Sequence, residues 1–135
     1  MKPIFIPILA LAAVICLATS CKKEKTIKPP VTSSGRTLRF ILYTNEDFHT
    51  DDHGINFSLH ISDGVHASFD SIVYTAKVKD IPDHAHQLVF EKKVPDDGKA
   101  LTVGFTYEIQ NVGFSWHLDT IAANEKSKVI EYPFQ

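Results

Sequence analysis

Seven histidines stand in this chain, and four of them fall in two short polar segments, His49-Thr50-Asp51-Asp52-His53 and Asp83-His84-Ala85-His86. Imidazole is a ligand for zinc, copper or nickel, and a structural zinc takes about four N, S or O ligands at roughly 2.0–2.3 Å. His49, His53, His84 and His86, with Asp51 or Asp83, are therefore the candidate set for a divalent transition metal, the one cofactor the sequence suggests. The same residues have a plainer reading as solvated loops. Asp51-Asp52-His53-Gly54 is ordinary turn chemistry, and His-x-x-x-His presents two rings together only when a helix carries it. Glu46, Asp47, Asp51 and Asp52 offer hard oxygens for calcium, but they lack EF-hand spacing. His60 and His117 each lie between apolar neighbours, Leu59 and Ile61 or Trp116 and Leu118, an alternation that predicts both rings on the solvent face.

Covalent chemistry finds little to work with. There is no Gly-x-Ser-x-Gly elbow, no Gly-rich phosphate loop and no dinucleotide fingerprint. The paired carboxylates Asp51-Asp52 and Asp96-Asp97 occupy adjacent loop positions, where turns use them routinely. A non-enzymatic protein is expected. Binding is the alternative to catalysis, and Phe48 is its candidate contact, an apolar residue inside the long polar loop 45–54 with no strand to occupy. It serves equally well as a plug that folds back over the end of the domain.

The elements that must position these residues are strands. Leu38, Phe40 and Leu42 alternate with Arg39, Ile41 and Tyr43, and Ile55, Phe57, Leu59 and Ile61 alternate with Asn56, Ser58, His60 and Ser62, the period-two pattern of half-buried strands. Runs rich in Val, Ile, Phe, Tyr and Thr follow at 69–79, 86–94, 101–110, 113–121 and 128–134. Turn signals separate them, at Asp63-Gly64, Ile81-Pro82-Asp83, Pro95-Asp96-Asp97-Gly98 and Asn111-Val112-Gly113. About seven strands in one hundred residues predict an all-β fold, a single antiparallel β-sandwich. Trp116 with Phe114 and Leu118, and Phe105 with Val103 and Tyr107, are the expected core. If each strand runs the length of the sandwich, the loops after the first, third and fifth strands share one end. That end collects loop 45–54, loop 83–86 and Asn111-Val112.

Residues 1–35 are of another kind. A basic start, Met1-Lys2-Pro3, leads into an apolar run from Ile4 to Ala18 and then Thr19-Ser20-Cys21. This order resembles the lipobox of bacterial lipoproteins. The resemblance implies a signal peptide at 1–20, acylation of the Cys21 sulfur, a membrane anchor by palmitate-type lipid, and residence in the outer membrane with the domain facing either the periplasm or the outside. A retained spanning helix fits less well, because the apolar run is shorter than the roughly 20 residues a span needs and carries Pro7. Residues 21–35 read as a flexible tether with four lysines, Pro29-Pro30 and Thr32-Ser33-Ser34-Gly35. The domain at 36–135 holds nine Lys and Arg against fifteen Asp and Glu, a formal charge of −6. Phosphate recognition needs a clustered basic face, so nucleic acid is excluded as a partner. Cys16 leaves with the leader and Cys21 is acylated, so the domain folds without a disulfide.

In architecture the domain is similar to immunoglobulin-like or transthyretin-like sandwiches. It has no Cys–Trp–Cys framework and lacks the Tyr-Arg-Gly-Ser tail of the transthyretin-related hydrolases, so neither family's activity comes with the likeness. The sequence therefore reads as a lipid-anchored envelope module that binds or assembles with an envelope protein or a carbohydrate, with periplasmic metal binding as the alternative.

Overall fold

The computed structural model describes residues 35–66 and 68–135. The leader, Cys21 and the tether up to residue 34 lie outside the described residues. Seven strands form where the alternation predicts them: β1 (Gly35–Thr44), β2 (Gly54–Ser62), β3 (Phe69–Lys77), β4 (Leu88–Pro95), β5 (Leu101–Ile109), β6 (Gly113–Ile121) and β7 (Ser127–Phe134). Among the described residues the only helical pieces are two single 3-10 turns, Val78–Asp80 and His84–His86, and no helix is long and apolar enough to cross a membrane.

The strands make two sheets, β4-β1-β7 and β3-β2-β5-β6. Only β2–β3 and β5–β6 are hairpins within a sheet; every other connection crosses from one sheet to the other. All pairs are antiparallel except β1–β7, which is parallel. This departs from the fully antiparallel expectation for a simple reason. Strands that reverse direction at each connection leave the first and the seventh running the same way, and here those two are neighbours.

Side chains that alternate inward from both sheets build the core. Leu38, Phe40 and Leu42 of β1 meet Ile55, Phe57 and Leu59 of β2 and Leu101, Val103 and Phe105 of β5, all buried. Rings fill the centre: Phe57 lies 5.7 Å from Phe134, and Phe105 lies 5.7 Å from Phe40, both edge-to-face. Such pairs contribute about 0.5–1.5 kcal/mol beyond burial, itself worth about 1.5–3 kcal/mol for each large apolar side chain. Tyr107 is half-buried and joins the same cluster, its hydroxyl accepting from that of Tyr132 at 3.1 Å.

β6 reverses the expected arrangement. Phe114, Trp116 and Leu118 are 62%, 63% and 39% exposed, and it is Ser115, His117 and Ile121 that face the other sheet. The cause is register. A three-residue loop, with Asn111 in the left-handed region at φ 61°, pairs Ile109 with Gly113 and hence Phe105 with His117. Directly paired residues share a face, so the partner of a core phenylalanine points inward. His117 accordingly stacks on Tyr132 of the facing sheet, with ring centroids 4.6 Å apart and planes at 14°, and the expectation of a solvent-facing ring fails with that of a buried Trp116.

Candidate functional site

The loops after β1, β3 and β5 do share one end. The Thr44 amide donates to the Pro82 carbonyl at 2.8 Å, the Val78 amide to His53 at 2.9 Å, and the Gln110 amide to Gly54 at 2.8 Å. The Asp52 carboxylate accepts from Lys77 at 2.9 Å and pairs with Lys79 at 2.7 Å, and those two ammoniums, Lys79 first, hold its pKa down to about 2.

Sharing an end does not make the histidines converge. His49 turns to Asp47 at 2.8 Å, His53 to Asp51 at 2.7 Å and His86 to Asp83 at 2.8 Å, in each case through Nδ1 to a carboxylate two or three residues earlier in the chain. His84 stands edge-on to Tyr43, 4.7 Å between centroids. Asp51 and Asp83 also accept the backbone amides of His53 and His86, which makes them turn and cap residues. A carboxylate only accepts, so each paired ring donates from Nδ1. The arrangement recurs outside these loops, in His66 with Asp63 at 2.6 Å and His60 with Asp70 at 2.9 Å. Among the described residues no group of three or more His, Cys, Asp or Glu is placed to hold a metal ion. Phe48 is half-buried and packs on the core at the sandwich end, its ring 5.3 Å from Phe134.

The opposite end, where β1 begins, has a cleft of about 340 Å³ lined by Arg36, Asp63, His66, Lys92, Lys93 and Asp97 among others. Its guanidinium is occupied internally. Arg36 donates from Nη1 to the Lys99 carbonyl at 2.6 Å and from Nη2 to Asp97 at 3.4 Å.

A third feature has no counterpart in the sequence reading. Pairing across the β3-β2-β5-β6 sheet lines up its outer face in rows, Trp116–Thr106–Ser58–Ile72 in one and Leu118–Gly104–His60–Asp70 in the next, with Phe114 opposite Glu108. The apolar row Phe114-Trp116-Leu118 forms one wall of a depression of about 470 Å³, whose other lining residues are Ser58, Thr106, His60 and Asp70. Gly104 keeps the floor low, since a Cβ there would lie 2.0 Å from the His117 carbonyl oxygen and 2.8 Å from Leu118 Cα. On the far side Asp70 accepts from Ser68 Oγ at 2.7 Å and from His60. Partial burial pushes the Asp70 pKa up, but the hydrogen bonds from Ser68 and His60 outweigh it and hold the carboxyl below its usual range. The alternation Phe114-x-Trp116-x-Leu118 was visible as a strand pattern. Which face it served depended on a one-residue difference in hairpin length.

Fold and face together define an all-β sandwich with an exposed aromatic face on one sheet. No protein family matches this chain, and neither a curated protein nor a solved structure does.

Proposed function

We propose that this chain is a non-enzymatic, lipid-anchored protein of the cell envelope, tethered through Cys21 to the outer membrane, and that it works as a binding module through the outer face of the four-stranded sheet. The observation that carries the reading is the row Phe114, Trp116 and Leu118, three large apolar side chains side by side in solvent. Folding alone gives no reason to expose them, and contiguous apolar patches on soluble domains mark interaction sites. Of the two sandwich likenesses, the transthyretin-like one is favoured, because constant-type immunoglobulin domains keep their first two strands in one sheet whereas β1 and β2 lie in different sheets.

Photo-cross-linking in living cells tests the face. A benzophenone side chain at position 116 should capture a discrete envelope component, and one at Val129, exposed on the other sheet, should not. Replacing Phe114, Trp116 and Leu118 together by Ser should leave thermal stability within about 0.5 kcal/mol, as surface changes do, while the adduct formed from a neighbouring position such as Ile72 disappears. Equal capture from positions 116 and 129, or none from either, would remove the assignment.

A further inference from the structure

Resting on that binding face, we infer that its occupant is a neutral glycan, with pyranose rings stacked on Trp116 and Phe114 and hydroxyls directed to the polar side of the trough. The first ground is the chemistry of the lining. Phe114 and Trp116 stand 6.1 Å apart between ring centroids with planes at 41°, a wall of aromatic surface. An aromatic face carries negative charge density and attracts the weakly positive edge of C–H groups, and one side of a pyranose ring is a patch of C–H. The other contacts of such a ring are hydroxyls that both donate and accept. Across the trough lie matching groups: the hydroxyls of Ser58 and Thr106, the His60 ring and the Asp70 carboxylate. Glu108, the cross-strand partner of Phe114, adds an exposed carboxylate at the end of the wall.

Charge is the second ground. Among the described residues no lysine or arginine lines this depression, whereas Asp70 does, and the domain as a whole carries −6. A sulfated, phosphorylated or uronic polymer would be repelled here, and two copies meeting face to face would oppose Asp70 and Glu108 of each. The third ground is the state of the sheet edges. An added peptide strand needs an open edge, but Lys128 reaches over the end of β6 to the Thr120 carbonyl at 2.5 Å and to Asp119 at 2.8 Å. At the other edge β3 is bulged, its register skipping from Phe57–Tyr74 to Ser58–Ile72. What remains is a ligand that lies flat on the face, is uncharged, and is apolar on one side and hydroxylated along its rim.

Trp116 is the chain's only tryptophan, so its emission reports this face alone. The full chain, held in a detergent without a sugar headgroup, is titrated with cellohexaose, xylohexaose, mannohexaose and chitin hexamer, and with oligogalacturonate as the anionic comparison. At least one neutral oligomer should shift Trp116 emission to shorter wavelength and saturate, while oligogalacturonate leaves it unchanged. On affinity gels of the responding glycan, Trp116→Ala should weaken retention about tenfold, the loss expected for one stacked ring. Trp116→Phe should recover most of it, and Glu108→Gln should lower it with no change in melting temperature. Failure of every neutral oligomer, equal binding of oligogalacturonate, undiminished retention of Trp116→Ala, or burial of Trp116 by self-association would each overturn the inference. If no glycan acts but a protease-sensitive envelope fraction shifts the emission, the glycan assignment falls and the binding face stands; if neither acts, both fall.

Discussion

Arg36 opens β1 as a charged residue with no accessible surface. Its bonds are uneven: one strong donation to the Lys99 carbonyl, longer ones to Pro95 and Asp97 at 3.5 and 3.4 Å, and an Nε with no acceptor among the described residues. Asp97 is 44% exposed and so has water as a substitute partner. The guanidinium thus acts as a bracket that ties the 95–99 turn to the sheet, and its aliphatic stem fills the space beneath. Arg36→Ala should cost about 2–4 kcal/mol in urea unfolding, through the cavity and the freed carbonyl, whereas Arg36→Met, which keeps the volume and buries no charge, should recover at least half of that. Comparable losses from both variants would show that the hydrogen bonds, not the packing, matter. Much of the residue-level picture was legible, because Leu38, Phe57 or Phe105 needs only its own alternation to declare a face. Arg36 was not. An arginine one position into a strand reads as solvent-facing, and its burial depends on a turn sixty residues away folding over it. Phe48 was ambiguous for the same reason, since only the position of Phe134 decides whether it is a plug or a contact.

At the scale of the element, β6 decides where the exposed apolar row lies. An edge strand with three apolar residues in alternation looks like a core strand, and nothing within its own nine residues corrects that impression. The correction comes from β5 through the hairpin, whose loop of three residues sets the register and whose Asn111 supplies the left-handed turn. Shifting a register by one residue transfers every side chain to the other face. Loop length therefore carried the information, and it is the quantity that turn residues specify least sharply. Gly104 is the second element-level constraint. Its backbone is not left-handed; it is glycine because β5 and β6 approach too closely for a Cβ. Gly104→Ala should force the strands apart and cost about 3 kcal/mol or more, at the upper end of overpacking, with loss of the His117–Tyr132 stack visible as a change in aromatic ring-current shifts. A variant as stable as the parent would mean that β6 moves freely, and the trough would then have no fixed floor.

For the molecule as a whole, the allocation of loops to the two ends followed from strand count and length, which made it readable in advance, while convergence of side chains within an end did not follow. The histidines are held apart by their own carboxylates. Those carboxylates give the domain its response to acid. Asp47, Asp51, Asp63 and Asp83 each accept from a histidine ring and a backbone amide, and all are shifted below the usual carboxylate value. Asp52 is held at about 2 against an ordinary 3.8, chiefly by Lys79 and then Lys77. A carboxyl whose folded pKa lies below its unfolded one is protonated more readily on unfolding, so its contribution is complete above the unfolded value and is lost as pH falls toward the folded one. Protonation also leaves nine lysines and arginines without countercharge, which adds repulsion in the same direction. The unfolding midpoint should therefore fall steeply between about pH 4 and pH 2. Asp52→Asn separates the local from the global part. It should lower the midpoint at pH 6, and the gap to the parent should close progressively from pH 4 to pH 2, where the parent's own Asp52 takes up its proton. A gap that persists unchanged at pH 2 would mean that Asp52 acts through its hydrogen-bond geometry, which asparagine disturbs at any pH, and not through its charge on the two lysines that join the first and third loops.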